Sequence, residues 1–514
     1  SPGQTGTTGN ANLTYGSYDT RTIEASVTHG GTGYAAHVFA NHTVSDGYRD
    51  NNNIEQDSGF VDLRFHESAR EWFVKFGADD QNLRLPGSRT VDPGAGIDQL
   101  ETGRRGTGTP NDYADQNGHF LTAGVIHVFD RGQFTLDAGY RDKNQKAFFD
   151  DYSGFGFTSY LDTDLATWSI TPRVKTRYTL GDVPGTLTLG IDYYQSDYDS
   201  DRALNSSTIA TPIHQLAVNQ DSAAFYAQSE NALSDRTTIT MGARHQRVTL
   251  KALDRFNPTA PGAGFDNQAA PLSQRDDEAS YELGLRQGLT DHVSAFIRTG
   301  RATRFATVDE LFEFDPATFA RIFSPLKPQT SKGIDMCVDF VRETLKVSVS
   351  AYDMDLDNEI HFNPSTFTND NLDPTRRRGV VASFSGRVTQ GLRVTAGYAF
   401  ARSEFRDGVF AGNDVPLVSR NTGSLSAFVD LPEQLTLAAT ASYTGSKRFD
   451  NDQSNDFQKI PDYTLVDIKL AQIIGPWQWD ATIRNAFDEK AFDYGVRSLF
   501  TPGRYNAYPL PGRS

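Results

Sequence analysis

The sequence has very little cysteine, methionine or tryptophan, and it contains no long apolar run. Its 514 residues include one Cys, three Met and four Trp. Cys337 therefore has no partner in the chain, which excludes an intrachain disulfide framework. No apolar stretch approaches the roughly 18 residues of a transmembrane helix. Together with a mean hydropathy of −0.51, this excludes a helical membrane protein but not a β-barrel.

Basic residues are outnumbered, and catalytic motifs are absent. The chain has 49 Lys and Arg against 65 Asp and Glu, a net charge of −16 that argues against nucleic acid as a partner. We find no HExxH, no GxSxG, no phosphate loop and no cysteine-based metal spacing, so we predict no enzyme, no catalytic residues and no protein-bound metal. The polar start, residues 1–10, lacks the features of a signal peptide and predicts an excised part of a longer chain.

Glycine and aromatic residues are abundant, and side chains alternate in polarity. The chain has 44 Gly, 34 Phe and 21 Tyr. In GTLTLGIDYY (185–194), Leu187, Leu189 and Ile191 alternate with polar or small residues. A period of two is typical of β-strands with one apolar and one polar face. The sequence therefore predicts an all-β protein, a barrel with an apolar outside and a polar lumen.

Short turns alternate strictly with long polar connections, which indicates two unlike rims. The predicted turns are at 29–33, 67–70, 129–133, 180–185, 233–236, 289–292, 341–344, 389–392, 431–434 and 474–477. The predicted long connections are near 45–56, 80–118, 141–162, 197–220, 251–277, 303–328, 357–374, 405–417 and 446–460. This order predicts a large antiparallel transmembrane β-barrel with about 21 strands in the chain. Because such barrels have even strand numbers, we expect one closing strand beyond Ser514.

Several segments, in their order and spacing, resemble the TonB-dependent outer-membrane receptors of Gram-negative bacteria. They are TRFATVDELF (303–312), SPLKPQTSKGIDMCVDF (324–340), IPDYTLVDIKL (460–470), WQWDATIRNAFDEKAFDYG (477–495) and GRYNAYPLPGRS (503–514). The chain departs from the family pattern at Thr307, where proline is usual, and at Ser324 and Gln329, where Asn and Glu are usual.

The resemblance implies a barrel of the 22-stranded type, with residues 1–514 forming the barrel domain and a plug domain upstream that this chain lacks. It implies a bacterial outer-membrane receptor, expected as a monomer in lipid, that imports a scarce nutrient using the energy-transducing TonB complex through the plug. The expected cargo is a ferric siderophore, so that iron enters only as part of the chelate. Cobalamin or haem reception, a passive porin-like channel and a soluble secreted β-protein remain as alternatives.

An aromatic segment at 147–162 is the most distinctive predicted connection. Its candidates for ligand contact are Tyr152, Phe155, Phe157 and Tyr160, because aromatic rings offer large contact area at low entropic cost. The alternative is that they form the interfacial girdle of the barrel.

Arginines in the long connections could hold an anionic iron chelate through charge-assisted hydrogen bonds. The candidates are Arg84, Arg304 and Arg321. The alternative is that they pair with the many carboxylates of an acidic lumen.

Histidines and carboxylates give two further hypotheses. Residues 305–328 contain no His, and the remaining candidates for a haem ligand, beside the poorly placed His37 and His42, are His214 and His361 in predicted loops. Two acidic clusters could offer alternate carboxylates to Ca²⁺, although solvated loop charge is the preferred explanation. They are Asp197, Asp199 and Asp201, and Asp450, Asp452 and Asp456.

Overall fold

The computed structural model describes residues 5–152, 158–315, 317–363, 366 and 368–514. In this part of the chain, none of the helices has the length and apolar character to cross a membrane. The helices are one turn of α-helix, α1 (Gln99–Thr102), and four 3-10 turns at Pro93–Ala95, Ser206–Thr208, Ala263–Phe265 and Val308–Glu310.

Most of the described chain is β-strand. The strands are β1 (Gly6–Gly16), β2 (Thr20–Gly31), β3 (Tyr34–Ser45), β4 (Ile54–Glu67), β5 (Arg70–Arg84), β6 (Arg89–Asp92), β7 (Ile97–Asp98), β8 (Tyr113–Phe129), β9 (Gly132–Phe149), β10 (Ser159–Ile170), β11 (Arg173–Leu180), β12 (Val183–Ala203), β13 (His214–Ser234), β14 (Thr237–Phe256), β15 (Leu272–Gly288), β16 (Val293–Arg304), β17 (Phe312–Phe314), β18 (Arg321–Phe323), β19 (Gln329–Arg342), β20 (Leu345–Asp357), β21 (Ile360–Asn363), β22 (Thr368–Asn371), β23 (Thr375–Thr389), β24 (Leu392–Phe405), β25 (Asn421–Leu431), β26 (Leu435–Thr444), β27 (Lys447–Arg448), β28 (Lys459–Ile460), β29 (Tyr463–Ile474), β30 (Trp477–Ile483), β31 (Phe492–Arg497) and β32 (Tyr505–Pro509).

A single antiparallel sheet of 22 strand segments forms the barrel wall. Two of these segments, β10 and β11, occupy one position, because both pair with β9 on one side and with β12 on the other. They are separated at Thr171 and Pro172, where proline has no N–H to give to the ladder. The wall thus has 21 strand positions, and the predicted fold and approximate strand number are confirmed. Within the described residues, β1 pairs only with β2, and β30 only with β29.

Alternation along the strands separates an outer face from a lumen face. Leu189, Ile191 and Phe225 are exposed on the outer face. On the other face, the Arg244 guanidinium lies 2.6 Å from the Asp192 carboxylate. An apolar exterior opposite paired charges is the pattern of a barrel in lipid with a polar interior.

The ten predicted short turns are confirmed, and they join consecutive wall strands at one rim. The opposite rim carries the long connections, which the structure places at 46–53, 85–112, 150–158, 204–213, 257–271, 305–328, 358–374, 406–420 and 445–462. One short link was missed, since residues 17–19 join β1 to β2 at the long-connection rim.

Several strands are longer than the sequence predicted. The expected connections 141–162, 197–220 and 251–277 shrink to 150–158, 204–213 and 257–271, because β9, β10, β12, β13, β14 and β15 continue past the membrane. Strands of up to 21 residues exceed the roughly 9–11 needed to span a bilayer. Their outer parts are polar yet remain in antiparallel register, so they stand above the membrane as a wall around the mouth.

Candidate functional site

An apolar cluster fills one side of the mouth on the lumen face. Its wall members include Tyr198, Val218 and Ala252, which face one another across β12, β13 and β14. Leu311 and Phe323, from the connection 305–328, pack onto them. This connection therefore folds into the barrel mouth and covers part of the wall. We call this region the packed half of the mouth.

A buried charge network holds the packed half together. His214 is 1% exposed, with Nδ1 3.1 Å from both carboxylate oxygens of Asp254 and Nε2 3.1 Å from Asp266. The Arg321 Nε donates to both oxygens of Asp266 at 3.2 Å. Against the effect of burial, the carboxylates beside both ring nitrogens of His214 raise its pKa, so the site fits an imidazolium that is ion-paired to Asp254 and Asp266.

Arg321 is consequently part of the scaffold of the mouth. Its guanidinium also lies over the rings of Phe312 and Phe314, 5.3 and 3.4 Å from their centroids. Burial lowers the pKa of Arg321 to about 10, against the opposing effect of Asp266. Burial would raise the pKa of Asp266, but His214 and Arg321 hold it below its usual value. Arg321 thus pairs with a carboxylate of the protein itself, which is the alternative to chelate binding that the sequence left open.

Arg304 is also engaged by a carboxylate. Its guanidinium contacts Glu310, which in turn accepts a hydrogen bond of 2.8 Å from the backbone N–H of Thr307. Thr307 and Glu310 form the capping box of the short turn that starts the connection 305–328. Arg304 orders the entry of this connection.

Arg84 and Tyr160 do not join the mouth, because strand register places them on the outer face. Arg84 shares its face of β5 with the exposed Trp72, and Tyr160 shares its face of β10 with the exposed Trp168. The Arg84 guanidinium lies 5.0 Å from the ring centroid of Tyr113 on the neighbouring strand. The register therefore gives no support to Arg84 and Tyr160 as ligand contacts in the lumen, and their role in binding stays a prediction.

Tyr152 connects two neighbouring loops. Its hydroxyl donates to Asp112 and accepts from the backbone N–H of Asn111, both at 2.9 Å. Burial and the adjacent Asp112 carboxylate raise the pKa of Tyr152 to about 12. The ring remains 43% exposed and can still contact a ligand. Phe155 and Phe157 lie outside the described residues, so the aromatic platform stays a prediction.

A four-stranded sheet covers another part of the mouth, and we call it the outer sheet. It consists of β6, β7, β31 and β32, and its core includes Val91, Phe449 and Ile460. Thr90 donates a hydrogen bond of 2.9 Å to Asn506, which joins the connection 85–112 to the segment that follows β30. Three distant parts of the chain thus share one core.

The acidic cluster at 450–456 lies beside the outer sheet and pairs with side chains of β31. Arg497 Nη1 donates to Asp452 at 2.6 Å and also contacts Asp456. Burial raises the pKa of Asp452, whereas the hydrogen bond from Arg497 lowers that of Asp456. Asp450 accepts from the Tyr494 hydroxyl at 2.7 Å and lies 3.3 Å from His361 Nε2. These carboxylates have protein cations or hydroxyls as partners.

The other acidic cluster faces outward above the membrane. Asp199 lies directly opposite Asp164, and Asp201 opposite Asp162. No group of three His, Cys, Asp or Glu residues within the described ranges is arranged to hold a metal ion. The structure gives no support to a calcium site, and the cofactor prediction remains untested.

The histidine candidates for a haem ligand all have protein partners. His214 is buried against Asp254 and Asp266, and His361 contacts Asp450. His42 Nδ1 is 2.8 Å from Asp57, and His37 Nδ1 is 2.8 Å from the Thr28 hydroxyl. Carboxylates thus lie beside both ring nitrogens of His214 and beside Nε2 of His361, which opposes their use as axial haem ligands, whereas the contacts of His42 and His37 are made through Nδ1.

The lumen below the mouth contains a cavity of about 500 Å³. Asp192, Tyr226, Arg244, Glu282 and Arg298 contribute to its lining. Arg298 lies 3.9 Å from Glu282, and Arg244 pairs with Asp192. Such a cavity can accept a hydrated solute or a polar protein segment.

The model of the TonB dependent receptor-like β-barrel family matches residues 76–486. The chain belongs to this family. This is the family that the sequence resemblance predicted.

Among similar proteins, the ferrichrome outer membrane transporter and phage receptor of Escherichia coli K12 is 23% identical over 338 residues, which cover 60% of this chain and 42% of the relative. The vitamin B12 transporter of Photobacterium profundum is 24% identical over 212 residues, covering 39% of this chain and 33% of that protein. The chain thus spans less than half the length of these curated relatives. The crystal structure of the ferric yersiniabactin uptake receptor of Yersinia pestis superimposes with a TM-score of 0.80 at 16% identity, covering 100% of this chain and 79% of the receptor.

Proposed function

We propose that this chain is the barrel of a receptor that imports a ferric siderophore across the bacterial outer membrane, energised by the TonB complex through a plug domain. The carrying observation is the barrel wall, in which the long connections, as far as the structure describes them, lie at one rim around a mouth above the lumen. An import receptor requires such a recognition surface on one side and an interior that a plug can fill.

The names of similar proteins support a siderophore as the cargo. One relative transports ferrichrome and one similar structure takes up ferric yersiniabactin. Cobalamin is the second candidate, because a shorter alignment relates the chain to a vitamin B12 transporter. The engaged histidines give haem no comparable support.

The test uses the full-length receptor in an outer membrane that lacks other siderophore receptors. We expect uptake of ⁵⁵Fe supplied as a ferric siderophore, and we expect uptake to stop when TonB is removed. Uptake of labelled cobalamin without iron uptake would instead assign the vitamin.

A swelling assay in liposomes tests the passive channel. A plugged receptor is expected to exclude small sugars, so sugar-dependent swelling of vesicles that contain the full-length protein would contradict the proposal and favour a porin.

A further inference from the structure

A row of four glutamines crosses the lumen face of β4, β5, β8 and β9. Gln56 lies directly opposite Gln81, Gln81 opposite Gln116, and Gln116 opposite Gln145. Since neighbouring strands are about 4.8 Å apart, the row extends over about 14 Å. We call it the glutamine row.

The register places this row in the lumen and above the membrane. Val61, Phe76, Leu121 and Tyr140 form another cross-strand row, and Phe76 and Leu121 in it are exposed on the outer face. Each glutamine lies five positions from the member of that row on its own strand. An odd offset turns the side chain to the opposite face, and five residues correspond to about 17 Å. The glutamines therefore face inward at the height of the mouth.

On both sides of the glutamine row, the neighbouring wall positions at the same height are also uncharged. Thr22 and Thr43 are hydrogen bonded at 3.1 Å on one side, and Thr163 and Ser200 at 2.8 Å on the other. Their register joins them to the glutamines, because Thr43 is opposite Gln56 and Thr163 opposite Gln145. Eight successive wall positions thus present uncharged polar groups in a chain that is 22% charged.

The amide groups of the row have little to bind within the described residues. The hydrogen bond from Gln81 Nε2 to Gln56 Oε1 is 3.5 Å long, at the limit for such a contact. The structure records no other side-chain hydrogen bond of these four residues in the described part of the chain. All four side chains are half-buried. Since the register turns them inward, their amide donors and acceptors face the lumen.

The charges near the row favour a neutral ligand. One step below it, the opposite charges of Asp79 and Lys143 flank Gly118 across the sheet. Arg304 and Arg321, the cations expected to hold an anion, are paired with Glu310 and Asp266. At the row and one step below it, the charges on these four strands cancel, so an anionic chelate would meet no net positive charge there.

We propose that the glutamine row is the contact surface for an electroneutral, oxygen-rich ferric chelate of the trihydroxamate class. Three hydroxamate groups cancel the charge of Fe³⁺, whereas three catecholate groups leave three negative charges. Each glutamine can donate to a hydroxamate or carbonyl oxygen and accept from an amide N–H or hydroxyl of the ligand backbone. This inference rests on the proposed function and specifies its ligand.

The test measures binding of ferrichrome, a neutral ferric trihydroxamate, to the purified full-length receptor. The double variant Gln81→Leu/Gln116→Leu keeps similar side-chain volume and removes the amides, and we expect its Kd to rise at least tenfold. The matched control Gln195→Leu changes an exposed outer-face glutamine of β12 and should leave the Kd unchanged. Heat-dependent migration in detergent gels checks that each variant keeps its barrel.

A charge variant gives a second readout. Gln116→Lys adds a cation to the row, and we expect it to raise the affinity for a ferric tris-catecholate relative to ferrichrome by at least tenfold. If wild type prefers the catecholate, or if the double variant binds ferrichrome normally, the inference is overturned. A double variant that releases the plug while keeping its affinity would make the row a plug contact and overturns it as well. If wild type binds neither chelate, the inference is overturned, and the ⁵⁵Fe uptake test decides the proposed function separately.

Discussion

The two halves of the mouth differ in what lies on the lumen face of the barrel wall. Above the membrane, the lumen face of β12 to β14 is covered by the connection 305–328, with an apolar core and a buried His–Asp–Arg network. The lumen face of β4 to β9 at that height carries the glutamine row, whose amides stay accessible. One half is therefore built for rigidity and the other for contact with a polar solute. The polarity of the strand segments above the membrane therefore does not by itself show whether they pack against a connection or contact a solute.

Removal of a buried carboxylate should break the packed half. In Asp266→Ala, Arg321 and Nε2 of His214 lose their shared partner inside the protein, and the expected cost is about 3–5 kcal/mol. Limited proteolysis of the full-length receptor should then cut the connection 305–328 faster. Gln116→Leu in the other half is the control and should change stability by less than about 1 kcal/mol. Equal effects of the two changes would contradict the contrast.

A charge placed on the membrane-facing side of the wall should destabilise the barrel more than the same charge placed on its lumen side. Leu189→Arg is expected to cost about 2–4 kcal/mol if Leu189 lies near the bilayer midplane. Gln228→Arg, which faces the lumen beside Glu282, should cost far less. Refolding titrations in lipid vesicles measure both variants. No loss in Leu189→Arg would reject the assignment of the outer face.

The histidine in the connection 358–374 should make that part of the mouth pH-dependent. The Asp450 carboxylate raises the pKa of His361, although burial opposes it. A raised pKa means that the contact stabilises the fold fully below the unfolded value of about 6.5 and is lost as pH rises through the folded value. The protection of residues 368–374 against hydrogen exchange, taken relative to the intrinsic exchange rate at each pH, should therefore fall as the pH rises through the raised pKa. His361→Gln should abolish this dependence, and an unchanged profile in that variant would exclude the His361–Asp450 contact as its cause.

The smallest expected effect concerns the contact between two loops next to the strands that carry the glutamine row. Tyr152→Phe removes the hydroxyl that bonds to Asp112 and Asn111, at an expected cost of about 1 kcal/mol. Thermal unfolding of the receptor measures the loss. Tyr193→Phe, whose hydroxyl lies on the exposed outer face against Asp221, is the control. A larger loss in the control would show that the loop contact contributes nothing specific.

Local patterns were sufficient to predict the barrel but not the mouth. Leu187, Leu189 and Ile191 reveal their strand and face by alternation alone, and the ten short turns follow from their composition. Composition alone predicts loops for the outer parts of strands such as 195–203, because nearly all of their side chains on both faces are polar. Extending the alternation from Trp168 to Tyr160 would have shown that Tyr160 faces outward.

The packing of the connections could not be predicted in the same way. The pairing of Arg321 with Asp266 joins residues 55 positions apart, and no local pattern encodes it. The glutamine row does have a signal in the sequence, since each member lies five residues from an apolar or aromatic position on its own strand. Recognising it requires the register of four strands together, and register depends on connection lengths that vary along this chain.

The outer sheet has a consequence for the order in which the molecule assembles. Its hydrogen bond between Thr90 and Asn506 joins residues separated by 416 positions, so the sheet cannot form until nearly the whole described chain has been synthesised. Contacts at such separations carry a large loop-closure cost unless the intervening chain is already structured. The wall strands must therefore associate first, and a nascent barrel passes through a stage in which its hairpins are paired while this part of its rim remains open.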